Sequence, residues 1–71
     1  MANSLLMIRL NGEEKHVTRG DSVAALVAQL GIDVRKVAIE RNGEILPRSR
    51  YETTLLAEGD ALELVTFIGG G

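Results

Sequence analysis

The chain contains one strong helix-forming segment, and pairs of short strand-like segments lie on both sides of it. Its apolar residues recur with helical spacing and form one stripe: Val23, Leu26, Val27 and Leu30. The Ser22 hydroxyl can accept a backbone N–H of the first turn, and Gly31 suits the left-handed residue that ends a helix. Because a helix with one apolar stripe must pack that stripe on another element, the strands have to supply a sheet.

The strand-like segments are separated by turns that favour hairpins. Asn11-Gly12 and Asn42-Gly43 are well suited to tight two-residue turns, in which both residues have positive φ. The pattern predicts strands at 5–10, 15–18, 37–41, 44–46 and 61–67. The segment before the last strand is predicted to be irregular, with one helical turn around Tyr51 and either Leu55 or Leu56 in the core.

The order hairpin, helix, hairpin, strand favours an α+β fold of the β-grasp, or ubiquitin-like, type. One helix covers only one face of a mixed sheet of about four to five strands. The compact arrangement lays the helix diagonally across that face and places the last strand in the middle, beside the first. Strand alternation turns one set of residues toward the helix: Leu6, Ile8, Leu10, Val37, Ile39, Leu62 and Leu64.

The same alternation places large apolar residues on the face that the helix leaves uncovered. These residues are Leu5, Met7, Val65 and Phe67. Exposed apolar groups of this size usually form an interaction surface. We therefore predict that the uncovered face docks a partner protein.

Composition limits the classes of function. The chain has 71 residues, so one small domain with a modest core is expected, over residues 1–68, followed by a flexible glycine tail at 69–71. The net charge is −2, and Tyr51 and Phe67 are the only aromatic residues. Nucleic-acid surfaces need clustered Lys and Arg and, for single strands, stacking rings, so we expect no nucleic-acid partner.

The sequence carries no cysteine and no targeting signal. Without cysteine it has no disulfide, no thiolate metal site and no persulfide of its own, so any sulfur must come from another protein. The first residues lack a basic region, and Arg9 interrupts the apolar run. We expect a soluble cytoplasmic protein that does not bind membranes and is a monomer when free.

No set of side chains has the spacing of a catalytic or metal site. His16 is interpreted as a solvated strand residue, and no glycine-rich loop opens a helix as phosphate-binding loops do. The acidic pairs at loops are interpreted as solvated charges: Glu13-Glu14 and Glu58/Asp60. Arg48 and Arg50 can contact an acidic partner or be ordinary surface charges. The chain lacks the parts of a self-sufficient enzyme.

The terminal Gly69-Gly70-Gly71 is the candidate reactive group. Glycine loses the most backbone entropy on ordering and makes a poor strand end, but without Cβ atoms the three residues can enter a narrow channel. Fully extended, they reach about 10 Å. The alternative is an ordinary frayed chain end. We favour a flexible arm that presents its terminal carboxylate to a partner enzyme.

A terminal carboxylate is an anion at neutral pH and resists nucleophilic attack. A partner that holds ATP can convert it to an acyl-adenylate, from which AMP leaves readily. A sulfur donor would then give a thiocarboxylate, whereas an amine would give a protein conjugate. Gly70 and Gly71 would be needed for threading, and Gly69 would lengthen the arm.

Three segments of the chain resemble the ThiS family, the sulfur carriers of the thiamine pathway. They are residues 37–48 with the sequence VAIERNGEILPR, the turn Glu58-Gly59-Asp60 and the end Phe67-Ile68-Gly69-Gly70-Gly71. The terminal diglycine is shared by all ubiquitin-like carriers. The glutamate–arginine–asparagine hairpin followed by proline–arginine is more specific.

The resemblance implies a β-grasp carrier with no catalysis of its own and no bound cofactor. An E1-like adenylyltransferase would activate Gly71 with ATP, with Gly70 beside it in the channel. A cysteine desulfurase, or another sulfur donor, would supply the sulfur. The thiocarboxylate would then donate sulfur to thiazole synthase.

Two alternatives remain open at this point. The small subunit of molybdopterin synthase has a similar fold and tail, but that family usually has prolines shortly before the tail, where this chain has LVTFI at 64–68. A β-grasp interaction module without tail chemistry would also explain an exposed face around Val65 and Phe67.

Overall fold

The computed structural model describes residues 4–67. Within that range it has strands β1 (Leu5–Leu10), β2 (Glu13–Thr18), β3 (Val37–Arg41), β4 (Glu44–Leu46) and β5 (Ala61–Thr66), with the helix α1 (Val23–Gln29) between β2 and β3. Short 3₁₀ turns occupy Val34–Lys36 and Arg48–Arg50.

The strands form one mixed sheet in the order β2-β1-β5-β3-β4. β5 is parallel to β1 and antiparallel to β3, whereas both hairpins are antiparallel. The last strand therefore lies in the middle of the sheet beside the first, and α1 packs on one face. This confirms the predicted β-grasp fold.

Some element boundaries differ from the prediction. β2 begins at Glu13 and not at residue 15, because pairing continues to the tight turn, where Leu10 lies opposite Glu13. β5 ends one residue earlier than predicted, although the Phe67 N–H still donates to the Lys36 carbonyl at 2.8 Å. The turn Val34–Lys36 was not predicted from the sequence.

The core lies between α1 and the face of the sheet that α1 covers. The residues predicted to face the helix are buried or half-buried there, together with Val17 and the apolar stripe of α1. Leu56 fills the remaining core position, whereas Leu55 is 58% exposed. Tyr51 is also buried, and its hydroxyl donates to the Val37 carbonyl at 3.5 Å. The predicted helical turn at Tyr51 thus anchors the irregular segment to β3.

The two hairpin asparagines also hold the central strand. Asn11 and Asn42 have φ of 51° and 53°, as their tight turns require. The side-chain oxygen of Asn11 accepts the Leu64 N–H at 2.7 Å, and that of Asn42 accepts the Ala61 N–H at 2.9 Å. Each turn therefore contributes a side chain that fixes β5, in addition to joining its own pair of strands.

Asp60, just before β5, is only 5% exposed. Its carboxylate accepts hydrogen bonds from Arg41 Nε at 3.1 Å, Asn42 Nδ2 at 3.1 Å and the Ala57 N–H at 2.9 Å. Burial raises the pKa of this carboxyl, but the bonds from Asn42, Ala57 and Arg41 outweigh burial, and the pKa lies below its ordinary value.

The interpretation of Glu58 and Asp60 as a solvated pair is therefore wrong. Asp60 is buried against the second hairpin, and Glu58 Oε1 accepts the Met7 N–H at 3.2 Å. The Arg-Asn hairpin and the Glu-Gly-Asp turn, two of the sequence signals that carry the family resemblance, contact each other through Asp60.

Replacing Asp60 with Asn should destabilise the fold in a pH-dependent way. The amide keeps the size of the side chain but brings a donor against other donors, so we expect a loss of about 2 kcal/mol near neutral pH. Because the pKa is lower in the folded than in the unfolded state, the carboxylate stabilises the fold above its unfolded pKa. That stabilisation is lost as the pH falls through the folded value.

Urea unfolding between about pH 7 and about pH 2.5 measures this effect. The difference in unfolding free energy between wild type and Asp60→Asn should shrink toward the acid end. Glu52→Gln, at an exposed position, is the matched control and should show little difference at any pH. A difference for Asp60→Asn that stays constant across the range would contradict the role assigned to its charge.

Candidate functional site

The open face, meaning the face of the sheet that α1 does not cover, carries the residues predicted to dock a partner. Leu5, Val65 and Phe67 are 46%, 59% and 50% exposed, and Met7 is half-buried. Their neighbours Leu6 and Leu62 point into the core instead. The placement of these residues on the open face is confirmed, and their role in docking stays a prediction.

The register divides these residues between two ends of the open face. Arg9 of β1 lies beside Ala61 of the parallel strand β5. Met7 lies two residues before Arg9 in β1, and Val65 lies four residues after Ala61 in β5. At about 3.3 Å per residue, these six steps separate Met7 and Val65 by about 20 Å along the strand direction. Val65 and Phe67 lie at the end that leads into the tail, and Leu5 and Met7 lie at the other end.

The apolar group nearest the tail contains residues that the sequence did not single out. Val65 lies opposite Ala38, and Ile45 of β4 is 71% exposed on the same face. We call Ala38, Ile45 and Val65 the Val65 patch. With Ile39, Glu40 and Glu63 it lines a shallow depression of about 70 Å³.

The signal for Ile45 was present in the sequence. A two-residue turn at Asn42-Gly43 fixes the register of the hairpin, and that register places Ile45 opposite Glu40. Because Ile39 is buried, Glu40 and its partner must face outward. The prediction missed Ile45 because a three-residue strand shows too little alternation to assign its faces.

The chain is held firmly just before the tail. Thr66 lies opposite Val37, and the Phe67 N–H donates to the Lys36 carbonyl. The turn Val34–Lys36 therefore packs beside the end of β5. The predicted reactive residues Gly69, Gly70 and Gly71 lie outside the described residues, so their roles stay predictions.

Asp33 fixes the turn that holds this end of β5. Its carboxylate accepts hydrogen bonds from the Arg35 side chain at 3.0 Å and from the Arg35 N–H at 2.9 Å. These bonds lower the pKa of Asp33 to about 2. The pair is solvent-exposed, so it contributes to the geometry of the turn more than to overall stability.

Arg48 connects the second 3₁₀ turn to the same region. Its Nη2 donates to the Arg35 carbonyl at 3.3 Å. Arg48 also lines a groove of about 330 Å³, together with apolar residues of α1 and with Tyr51. The proline–arginine pair of the sequence thus links the hairpin to the turn beside the end of β5, a structural role that the sequence could not assign. For Arg50 the structure provides no functional role.

Metal-binding clusters are not found on the described part of the chain. His16 is exposed on β2 opposite Met7, as predicted for a solvated residue. Residues 4–67 contain no group of three His, Cys, Asp or Glu side chains that could hold a metal ion. Over the same range, no helix has both the length and the apolar character needed to cross a bilayer.

Comparison with known families identifies the kind of protein that has this arrangement. The ThiS family profile matches residues 8–71, which include most of the first hairpin, the whole second hairpin, the central strand and the terminal glycines. The chain belongs to the ThiS family. The resemblance inferred from the hairpin, the Glu-Gly-Asp turn and the tail is confirmed.

Individual relatives agree with this assignment. The chain is 35% identical over 66 residues to the sulfur carrier protein ThiS of Bacillus subtilis, covering 92% of this chain and all of that one. It is 52% identical over 62 residues to a thiazole synthase of Paramagnetospirillum magneticum, covering 87% of this chain but 19% of that protein. The chain therefore spans about a fifth of the length of that relative.

A solved structure shows the same fold. The crystal structure of the thiamine biosynthesis protein ThiS from Geobacter metallireducens superposes with a TM-score of 0.74 at 31% identity, covering 93% of this chain and all of that one. The ThiS family match covers β5 and reaches the terminal glycines.

Proposed function

We propose that the protein is the sulfur carrier for formation of the thiazole ring of thiamine. The observation that carries the proposal is the ThiS family match, which extends through the terminal glycines to residue 71. The likeness to a carrier protein of similar length supports it, as does the likeness of the chain to part of a thiazole synthase. The protein acts as a cosubstrate of other enzymes in the cytoplasm and has no catalytic role of its own.

The proposed chemistry takes place at the carboxylate of Gly71. An oxygen of that carboxylate attacks the α-phosphorus of ATP, which an E1-like adenylyltransferase holds, and pyrophosphate leaves. The terminal sulfur of a persulfide that originates from a cysteine desulfurase then attacks the acyl carbon, AMP leaves, and a thiol of a partner enzyme cleaves the acyl disulfide, forming a disulfide on the partner and freeing the thiocarboxylate. If another donor supplies hydrosulfide instead, its attack displaces AMP and gives the thiocarboxylate directly. The resulting thiocarboxylate passes its sulfur to thiazole synthase. Gly69 and Gly70 let the arm pass through the narrow channel that both enzymes need.

We propose that the open face docks these enzymes while the tail is in their channels. Val65 and Phe67 adjoin the tail and form the near part of the docking surface, and Leu5 and Met7 form the far part. A standard interface covers about 800 Å² per partner, so it is about 28 Å across. That span includes Met7 and Val65, which the register places about 20 Å apart, whereas Leu5 and Phe67, about 33 Å apart by the same measure, would lie at its rim.

Removing Gly71 should abolish activation without affecting the fold. The shortened chain still ends in a carboxylate, but that group stops about 3.5 Å short of the adenylylation site. Every residue of the described core lies between Leu6 and Leu64, so the melting temperature should be unchanged. ATP–pyrophosphate exchange by the adenylyltransferase measures the effect, with the full-length chain as the control. Exchange at an undiminished rate would refute the assignment of Gly71.

Replacing Phe67 with Ala should weaken docking far more than folding. A half-exposed ring contributes little to the core, whereas an aromatic residue buried in an interface often contributes about 2 kcal/mol or more to binding. Titration calorimetry with the adenylyltransferase and with thiazole synthase measures the affinities, and thermal unfolding measures the stability.

The matched control is Leu55→Ala. Leu55 is similarly exposed, but it lies in the segment that bridges to Ser22 and not in a strand of the open face. It should leave both affinities unchanged. A large fall in melting temperature for Phe67→Ala with unchanged affinities would show that Phe67 serves the fold and not the interface.

A further inference from the structure

Two glutamates face each other in the middle of the open face. Glu40 of β3 and Glu63 of β5 are directly opposite in the antiparallel register, so their Cβ atoms are about 5 Å apart. Like charges at such positions destabilise a sheet. Both side chains are exposed, and neither is part of an ion pair found among residues 4–67. In the isolated chain the two like charges therefore repel each other, and an uncharged residue at either position would remove that repulsion.

The surroundings of the pair are apolar. Glu40 and Glu63 form one side of the 70 Å³ depression, and the Val65 patch of Ala38, Ile45 and Val65 forms most of the rest. Small-molecule sites have volumes of about 300 Å³ or more. The depression is thus too small for a nucleotide or similar ligand, and its size fits the end of one long side chain from a docked protein.

Nearby cations of the chain do not neutralise the pair. Arg41 directs its guanidinium to the buried Asp60, at 3.1 Å. Arg9 lies beside Ala61, one outward-facing position before Glu63, and forms no ion pair within the described residues. Within residues 4–67 no ion pair involves either carboxylate, so both remain available to a cation from a docked protein.

Arginine fits this position better than lysine. Its guanidinium has several donors in one plane and can bond two carboxylates at once, whereas an ammonium is a compact and strongly hydrated charge. Its methylene stem can lie along apolar surface while the charged end stays at the carboxylates. The Val65 patch offers that apolar surface directly beside Glu40 and Glu63.

We propose that an arginine side chain of thiazole synthase inserts into this depression and binds Glu40 and Glu63 when the carrier docks. The proposal rests on the proposed function and adds the chemistry by which one partner is recognised. Thiazole synthase is chosen because a protein of that name contains a segment 52% identical to this chain. The repulsion between the two glutamates is relieved only in the complex, so the pair favours the docked state over the free one.

The test compares Glu40→Gln, Glu63→Gln and the double variant with Glu44→Gln. Glu44 is an exposed glutamate of the same hairpin, but it lies opposite Arg41 and so faces the other side of the sheet. Affinities for thiazole synthase and for the adenylyltransferase are measured by titration calorimetry at low and high salt, and stability by thermal unfolding. Sulfur transfer to thiazole is measured for the wild-type carrier.

The double variant should bind thiazole synthase about tenfold or more weakly, because hydrogen bonds to charged groups are lost. Its affinity should also depend less on salt than that of wild type. Its melting temperature should rise or stay constant, since like-charge repulsion is removed. Glu44→Gln should bind as wild type does.

Three results would overturn the proposal. Equal affinity of the double variant and wild type would show that the pair binds nothing on the synthase. An equal loss of affinity for Glu44→Gln would show that the effect comes from net charge alone and not from the position of the pair. A loss of affinity only for the adenylyltransferase would place the arginine on the other enzyme. If the wild-type carrier neither binds thiazole synthase nor supports thiazole formation, the proposed function itself fails.

Discussion

The central strand β5 is hydrogen-bonded on both of its edges, and the rest of the structure is arranged around it. It joins the first hairpin to the second, since its neighbours are β1 and β3. Leu62 contributes to the core beneath α1, and Asn11 and Asn42 bond the backbone of β5 from the two turns. β5 is also the strand that precedes the terminal glycines in the sequence.

Much of this fold was predictable because local signals and packing agree. The Asn-Gly turns set the hairpin registers, and the spacing from Val23 to Leu30 marked the helix. The chain has one helix to cover one face of the sheet, and its last strand needed a neighbour on each side. The β-grasp arrangement is the compact solution that meets both requirements. The role of Asp60 was not predictable, because its partners Arg41 and Asn42 are close to it only after β5 enters the sheet.

The functional site was predictable in part. The terminal glycines stand out in the sequence, and strand alternation correctly placed Leu5, Val65 and Phe67 on the open face. How far Leu5 lies from Val65 and Phe67 depends on the parallel register of β1 and β5, which strand alternation does not determine. The pairing of Glu40 with Glu63 in the register likewise depends on which residues lie opposite each other across two distant strands.

The end of β5 also bears on the choice between the two families of sulfur carrier. Pairing with β3 continues to Thr66, and the Phe67 N–H extends it to Lys36. A proline in this segment would remove a backbone donor, end the pairing sooner and redirect the arm. A partner shaped for the continuous strand should therefore reject a carrier of the molybdopterin synthase type, which has prolines before its tail. This agrees with the ThiS family match and supports the proposal that thiazole synthase is the recipient.

Complementation tests this account most directly. The chain is expressed in a bacterial strain that lacks its own thiamine sulfur carrier, and growth is measured on medium without thiamine. The account predicts that growth is restored. Rescue only of a strain that lacks the small subunit of molybdopterin synthase, with no growth without thiamine, would contradict it.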